Sequence, residues 1–338
     1  MTASACILGC AGPALTEAEK GFFADVRPWG FILFARNIET PDQVRALTAA
    51  LRETVGHEDA PILVDQEGGR VQRLKPPHWP LYPPGRAYDE LPAGERCGIA
   101  RLGGRLIAHD LAPLGINVDC APVLDVPAPD GHEIIGDRAY GDAPDRVAEL
   151  GRAVAEGLMA GGVLPVVKHI PGHGHARADS HLELPVVEST RDELAGRDFA
   201  PFAALADLPM AMTAHVIYAA IDPEHPATAS QTVIREVIRR TIGFDGLLMS
   251  DDLSMQALSG DFRQRAEAAL KAGCDVVLHC NGDMDEMQAV AAGTGALEGE
   301  ASRRAEAALG RLRQTPEPFD ATEGRARFEA AFGGRLAA

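Results

Sequence analysis

Apolar residues fall along this chain in two alternating rhythms. The first is a set of short continuous runs: Ala5–Gly9, Phe31–Ala35, Pro61–Val64, Ile116–Pro122, Val163–Lys168, Met210–His215, Gly246–Ser250 and Cys274–Cys280. Each is four to eight residues long, rich in Ile, Val and Leu, and bounded by polar residues or Gly/Pro. Runs without polar alternation suit strands buried on both faces, as in a parallel sheet. The second rhythm is helical. Thr16–Val26 opens with Thr16 and Glu19 at capping-box spacing. Pro41–Val55 sets Val44, Leu47, Ala50 and Leu51 on one stripe, and Gly94–Leu114, Asp145–Ala160, Arg191–Ala206 and Gln231–Ile242 repeat the pattern.

Eight such strands with helices between them predict an α/β fold, a single-domain (β/α)8 TIM-type barrel over residues 1–338. The stretch after Arg303 reads as helix to Gln314, and Pro316-Glu317-Pro318 begins an irregular tail from about 315.

In a barrel of this kind, chemistry collects where strands end and loops begin. Those positions here hold Arg36-Asn37, Asp65 to Arg70, Asp125, Lys168-His169, His215, Asp251-Asp252 and His279-Cys280-Asn281. So many charges on one rim would be costly in a scaffold, because clustered charges need partners. In a site for a hydroxylated ligand they are expected.

Three segments stand out. Lys168 to His181 is punctuated by Pro171, Gly172 and Gly174 and carries four histidines. No helical i, i+4 pair and no cysteine accompanies them, so a metal site is not expected. His173 and His175 have two readings, a hydrogen-bonded structural loop or direct catalysis. Asp179-Ser180-His181 differs, because a carboxylate two residues away can orient the imidazole and raise its pKa, giving a proton donor and acceptor near neutrality. The loop from Pro171 to His181 has few large apolar side chains to anchor it, so it is expected to be loosely held and to gate the site. Gly246 to Met255 sets two carboxylates after an apolar strand. Alternation lets only one point into the barrel mouth, and Asp251 is the choice; Asp252 better suits a cap on the following turn. Asp65 to Arg73 presents a carboxylate and an arginine around Gly68-Gly69, either to grip sugar hydroxyls or as an ion pair closing a loop.

Charge and composition narrow the partners. The net charge is −17 at neutral pH, so general nucleic-acid binding is not expected. No run approaches the ~20 apolar residues of a membrane helix, and the N-terminal run reads as a strand rather than a signal peptide. Cys6, Cys10, Cys97, Cys120, Cys274 and Cys280 contain no Cys-x-x-Cys and read mostly as buried reduced thiols. A cytoplasmic protein without an obligate protein partner is the expectation.

Four motifs in order carry a resemblance: Asp65-Gln-Glu-Gly-Gly-Arg-Val-Gln-Arg73, Ile135-Gly-Asp-Arg-Ala-Tyr-Gly141, Lys168-His-Ile-Pro-Gly-His-Gly174 with Asp179-Ser-His181, and Ser250-Asp-Asp-Leu-Ser-Met255. Together they resemble the single-domain β-N-acetylhexosaminidases of glycoside hydrolase family 3, the NagZ type, over roughly the first 280 residues. The resemblance implies a retaining exo-glycosidase of cell-wall recycling. Its substrates would be N-acetylglucosaminyl-1,6-anhydro-N-acetylmuramic acid and the peptide-bearing forms. It assigns the nucleophile to Asp251, the acid/base to His181 with Asp179 as its partner, and sugar binding to Asp65, Arg73, Arg138, Lys168 and His169. No metal or organic cofactor is implied. Phosphorolysis by the same Asp/His pair, a non-catalytic sugar-binding barrel and a metal-dependent hydrolase are the competing readings.

Overall fold

Each apolar run becomes a strand with two dry faces, and the phase of its side chains decides what lies inside. The computed structural model describes residues 2–128, 134–176, 184–313 and 315–333. Among them the strands β1 (Ser4–Leu8), β2 (Pro28–Leu33), β3 (Ile62–Val64), β4 (Val118–Asp119), β5 (Leu164–Ile170), β6 (Met210–Thr213), β7 (Leu247–Asp252) and β8 (Val276–His279) form a closed barrel in sequence order. Every neighbouring pair is parallel. The pairing of Cys6 with Val277 closes the ring.

Alternate residues fill the interior: Ile7, Ile32, Leu63, Val118, Leu164, Val166, Met210, Met212, Leu247, Met249, Val276 and Leu278 form one buried cluster. The residues between them, including Leu8, Leu33, Val64, Val167, Leu248 and Val277, pack outward into a second cluster with the helices. Each large aliphatic side chain buried this way contributes about 1.5–3 kcal/mol. Extending the inward phase by two positions reaches Phe34, Asp65, Lys168, Asp251 and Cys280, so the site is the top layer of the barrel's own packing.

The helices are α1 (Glu17–Val26), α2 (Pro41–Val55), α3 (Gly85–Asp89), α4 (Arg96–Leu111), α5 (Pro144–Ala160), α6 (Arg191–Gly196), α7 (Phe199–Ala204), α8 (Phe262–Ala272), α9 (Met284–Ala292), α10 (Gly299–Gly310) and α11 (Ala321–Ala331). The Thr16–Glu19 capping box is formed on both sides. Between β6 and β7 the crossover is a π-helical segment, Val233–Ile242. No helix among the described residues is long and apolar enough to cross a membrane.

Two expectations are corrected. Arg191–Ala206 is not one helix but α6 and α7, interrupted at Arg197-Asp198. Asp198 is buried and accepts a hydrogen bond from His175 at 2.7 Å, and that long-range demand overrides local helical periodicity. The tail beyond 315 is irregular only as far as Asp320, which caps α11 through the Thr322 and Glu323 amides. Phe328 of α11 is buried against Tyr82 and Tyr88, so apolar burial orders a segment that reads as polar and proline-broken.

Candidate active site

The top layer encloses a cavity of about 300 Å³ lined by Asp65, Glu67, Arg73, Arg138, Lys168, His169, Asp251, Asp252, Phe34 and Met255, among others. Six of the eight expected site residues therefore meet in one place. The other two, Asp179 and His181, lie outside the described residues.

One wall is a chain of alternating charges. Lys168 Nζ donates to Asp65 Oδ1 at 2.9 Å and lies 2.6 Å from Glu67 Oε1. Arg73 donates to Asp65 Oδ2 at 2.8 Å. Arg138 grips Glu67 with two bonds, both 2.8 Å. Burial alone would push the Asp65 carboxyl up, but Lys168 and Arg73 outweigh it and hold it well below the usual carboxylate range. Burial likewise opposes Glu67, yet Arg138 and Lys168 hold it at about 2. Lys168 shows the reciprocal balance: burial pushes its pKa down, and Asp65 and Glu67 hold it above the ordinary value. The Asp65–Arg73 pair thus forms the ion pair of the loop reading, and both residues also line the cavity. The wall stays charged at any working pH and offers fixed donors and acceptors to hydroxyl groups.

Opposite stands Asp251. Burial opposes its ionisation, but the neighbouring His215 and His169 rings, the Asp252 amide donating to Oδ1 at 2.8 Å, and Lys168 together lower its pKa. His215 is fully buried, which lowers its own pKa, and its two nitrogens are placed between the Thr228 hydroxyl at 2.7 Å and the Asp252 carbonyl at 3.0 Å. Asp252 does what the sequence suggests for it: its carboxylate accepts the Ser254 and Cys280 amides at 3.1 and 3.2 Å and so ties the β7 turn to β8.

The sequence reading places Glu67 on the rim, within Asp65 to Arg70, but assigns it no role. Its signal was available, since it lies two positions beyond Asp65 and shares its phase. Asp125 is a second rim residue that the sequence reading leaves without a role. It is fully buried, pairs with His169 Nδ1 at 2.7 Å and accepts the His173 amide at 2.7 Å. A carboxylate on Nδ1 fixes the orientation of the imidazole and leaves Nε2 as its other polar atom.

The loosely held loop is corrected for its first half. Pro171, Gly172, His173, Gly174 and Ala176 are buried. Tyr218 donates its hydroxyl to the Gly172 carbonyl at 2.5 Å, and a Cβ on Gly174 would lie 1.8 Å from the Val126 carbonyl oxygen. Backbone hydrogen bonds and close glycine packing supply the anchorage that large apolar side chains do not. Neither His173 nor His175 lines the cavity; His175 pairs with buried Asp198 and His173 is tied to Asp125. The structural-loop reading is therefore the one that fits them. Among the described residues no group of three His, Cys, Asp or Glu is arranged to hold a metal ion.

Two buried groups near the site make opposing acid responses. Burial pushes His173 down to about 4, below the ordinary imidazole value, so its stabilising effect is full above about 6.5 and is lost as pH falls through 4. Burial pushes Asp119 up to about 7, so its effect is full below about 4 and is lost as pH rises through 7. Between those limits the two offset each other by up to a few kcal/mol. His173→Gln is expected to gain stability relative to wild type on going from pH 7 to pH 4.5, and Asp119→Asn to lose it. Denaturant midpoints at the two pH values check this; parallel profiles for all three proteins would contradict it.

Residues 14–314 match the glycosyl hydrolase family 3 N-terminal domain. A beta-hexosaminidase of Alkalilimnicola ehrlichii is 43% identical over 282 residues, covering 81% of this chain and 80% of that protein. The beta-hexosaminidase of Pseudomonas aeruginosa strain LESB58 is 41% identical over 281 residues, covering 81% and 82%. Among solved structures, NagZ from Neisseria gonorrhoeae in complex with N-trifluoroacetyl-D-glucosamine superposes with a TM-score of 0.86 at 31% identity, covering 100% of this chain and 99% of that one.

Proposed function

The chain belongs to the glycosyl hydrolase family 3 N-terminal domain family, and on that premise we propose that it is an exo-acting, retaining β-N-acetylglucosaminidase. In this reading it removes terminal non-reducing N-acetylglucosamine from muropeptides, with or without peptide, in the cytoplasm during peptidoglycan recycling. Its relatives named beta-hexosaminidase support the reaction class. The observation that carries the reading is Asp251, ionised and facing a charged wall across a cavity of about 300 Å³. That volume lies at the small end for ligand sites, which suits one terminal sugar and exo action. Six free cysteines fit a reducing compartment.

The chemistry divides into two displacements. Asp251 attacks the anomeric carbon while the imidazolium of His181 gives its proton to the leaving oxygen, so the glycosidic C–O bond breaks as the C–O bond to Asp251 forms. His181, now neutral and oriented by Asp179, then takes a proton from water. The water oxygen attacks the anomeric carbon and Asp251 departs as carboxylate, with net retention. Asp65, Arg73, Arg138, Lys168 and His169 hold the sugar.

Turnover of aryl β-N-acetylglucosaminides and of the natural-type disaccharide tests this. Wild type is expected to cleave both. His181→Ala should lose about 10²–10⁴-fold on the disaccharide and much less on an activated phenol, which needs little protonation to leave. Equal slowing of both in the glycosylation step would remove His181 as general acid. Sugar 1-phosphate appearing when phosphate is supplied would replace hydrolysis by phosphorolysis.

A further inference from the structure

The C-terminal helix α11 lies beyond residues 14–314, the part that matches the family domain, yet it contacts two structural routes that end on the charged wall. The first begins at Arg325. Its guanidinium donates to Asp110 Oδ1 at 2.9 Å and to the Tyr82 hydroxyl at 3.4 Å, and that hydroxyl donates to Asp110 Oδ2 at 2.6 Å. Tyr82 is buried, with 3% of its surface exposed. Its backbone grips the hairpin formed by Gln66–Gly68 and Val71–Gln72. The Tyr82 carbonyl accepts the Gly69 amide at 2.8 Å, and its amide donates to Gln72 Oε1 at 3.0 Å. A Cβ on Gly68 would lie 2.2 Å from the Pro83 carbonyl oxygen, so hairpin and strap meet backbone to backbone. The hairpin carries Glu67 and is flanked by Asp65 and Arg73.

The second route begins at Phe328 and Phe332, which pack on Tyr88 with ring centroids 6.2 and 5.4 Å apart. Tyr88 belongs to α3 and lies 5.9 Å from Tyr140. At the start of α3, a Cβ on Gly85 would lie 2.3 Å from the Arg138 carbonyl oxygen. Arg138 is the cation that grips Glu67. Both routes therefore converge on the same ion-paired wall from opposite ends.

We propose that α11 is a strut for the sugar-binding wall, with Arg325 as a positioning residue that acts through Tyr82 and Asp110. The inference rests on the wall binding the sugar, as in the proposed function. A side chain that only holds the ground-state wall should alter sugar affinity and leave the chemical step alone, because Asp251 stands on β7, across the cavity.

The test compares Arg325→Ala, Arg325→Lys and Arg101→Ala with wild type. Arg101 pairs with Glu317 on the exposed part of the tail and serves as a control for tail attachment. In Arg325→Ala, KM for an aryl β-N-acetylglucosaminide and Ki for N-acetylglucosamine should rise together by about three- to tenfold, with kcat within about twofold. Arg325→Lys, which keeps one bond to Asp110, should recover part of the loss, and Arg101→Ala should match wild type. Hydrogen exchange of amides 66–74 gives a readout independent of substrate and should accelerate in Arg325→Ala alone. A lower melting temperature with KM, Ki and hairpin exchange all unchanged would overturn the strut. Faster hairpin exchange in a protein whose wild type turns over no N-acetylglucosaminide would support the strut and sink the functional reading instead.

Discussion

Asp251→Ala is expected to fold, to bind N-acetylglucosamine, and to lose at least about 10³-fold in kcat, the scale on which removal of a nucleophile is felt. The geometry explains why this residue and not its neighbour. Inward residues of β7 run Leu247, Met249, Asp251, in step with the barrel's buried interior. Asp252 also lines the cavity, but its carboxylate is engaged at the β7–β8 corner by the Ser254 and Cys280 amides. Ionisation is favoured for Asp251 despite burial, so the attacking form is present without prior proton transfer. A fluorinated glycosyl donor that departs slowly from the enzyme should leave its label on Asp251, read by mass spectrometry of the peptide. A label on Asp252, or wild-type rates in Asp251→Ala, would overturn the assignment.

Lys168→Ala should have the largest effect on stability. Lys168 is 2% exposed, and its ammonium stands between two buried carboxylates, at 2.9 Å from Asp65 and 2.6 Å from Glu67. Removing it leaves both with one arginine each and forces like charges together in a dry layer. Breaking a buried pair in this way costs about 3–5 kcal/mol. Sugar affinity should fall as well, since the remaining side chains must rearrange. The acid response should move in a defined direction. In wild type Glu67 is held at about 2, so its stabilising effect is present above its unfolded value near 4 and is lost as pH falls through about 2. Without Lys168 that window shifts upward, and acid unfolding should begin at higher pH. Lys168→Met combined with Glu67→Gln removes both charges and should regain part of the loss, a coupling readable in a double-mutant cycle. Additive losses, or an unchanged acid midpoint in Lys168→Ala, would show that the network does not behave as a unit.

Much of this molecule was legible in one dimension because its strands are buried on two faces. Such strands must be apolar throughout, so eight runs stood out without any knowledge of their partners, and Pro41–Val55 and the Thr16 cap announced themselves by local rules. The phase of each strand is also local, which is why Asp65, Lys168 and Asp251 could be placed at the mouth. What sequence could not supply is pairing at a distance. Lys168 meets Asp65 and Glu67 across about a hundred positions, and Arg138 meets Glu67 across seventy-one. The energy of those contacts exists only once the barrel has closed. Distance also explains the corrected elements. His175 draws Asp198 inward and breaks a helix that periodicity would continue, while α11 forms because Phe328 finds Tyr82 and Tyr88. Residues 171–176 are fixed by the Tyr218 hydroxyl, the Asp125 carboxylate and the Ala128 amide, all brought from other segments. Local side-chain chemistry therefore determined the elements and their inward residues; which charges neutralise one another, and how firmly each loop is held, was decided by burial and hydrogen bonding between segments that only the closed barrel brings together.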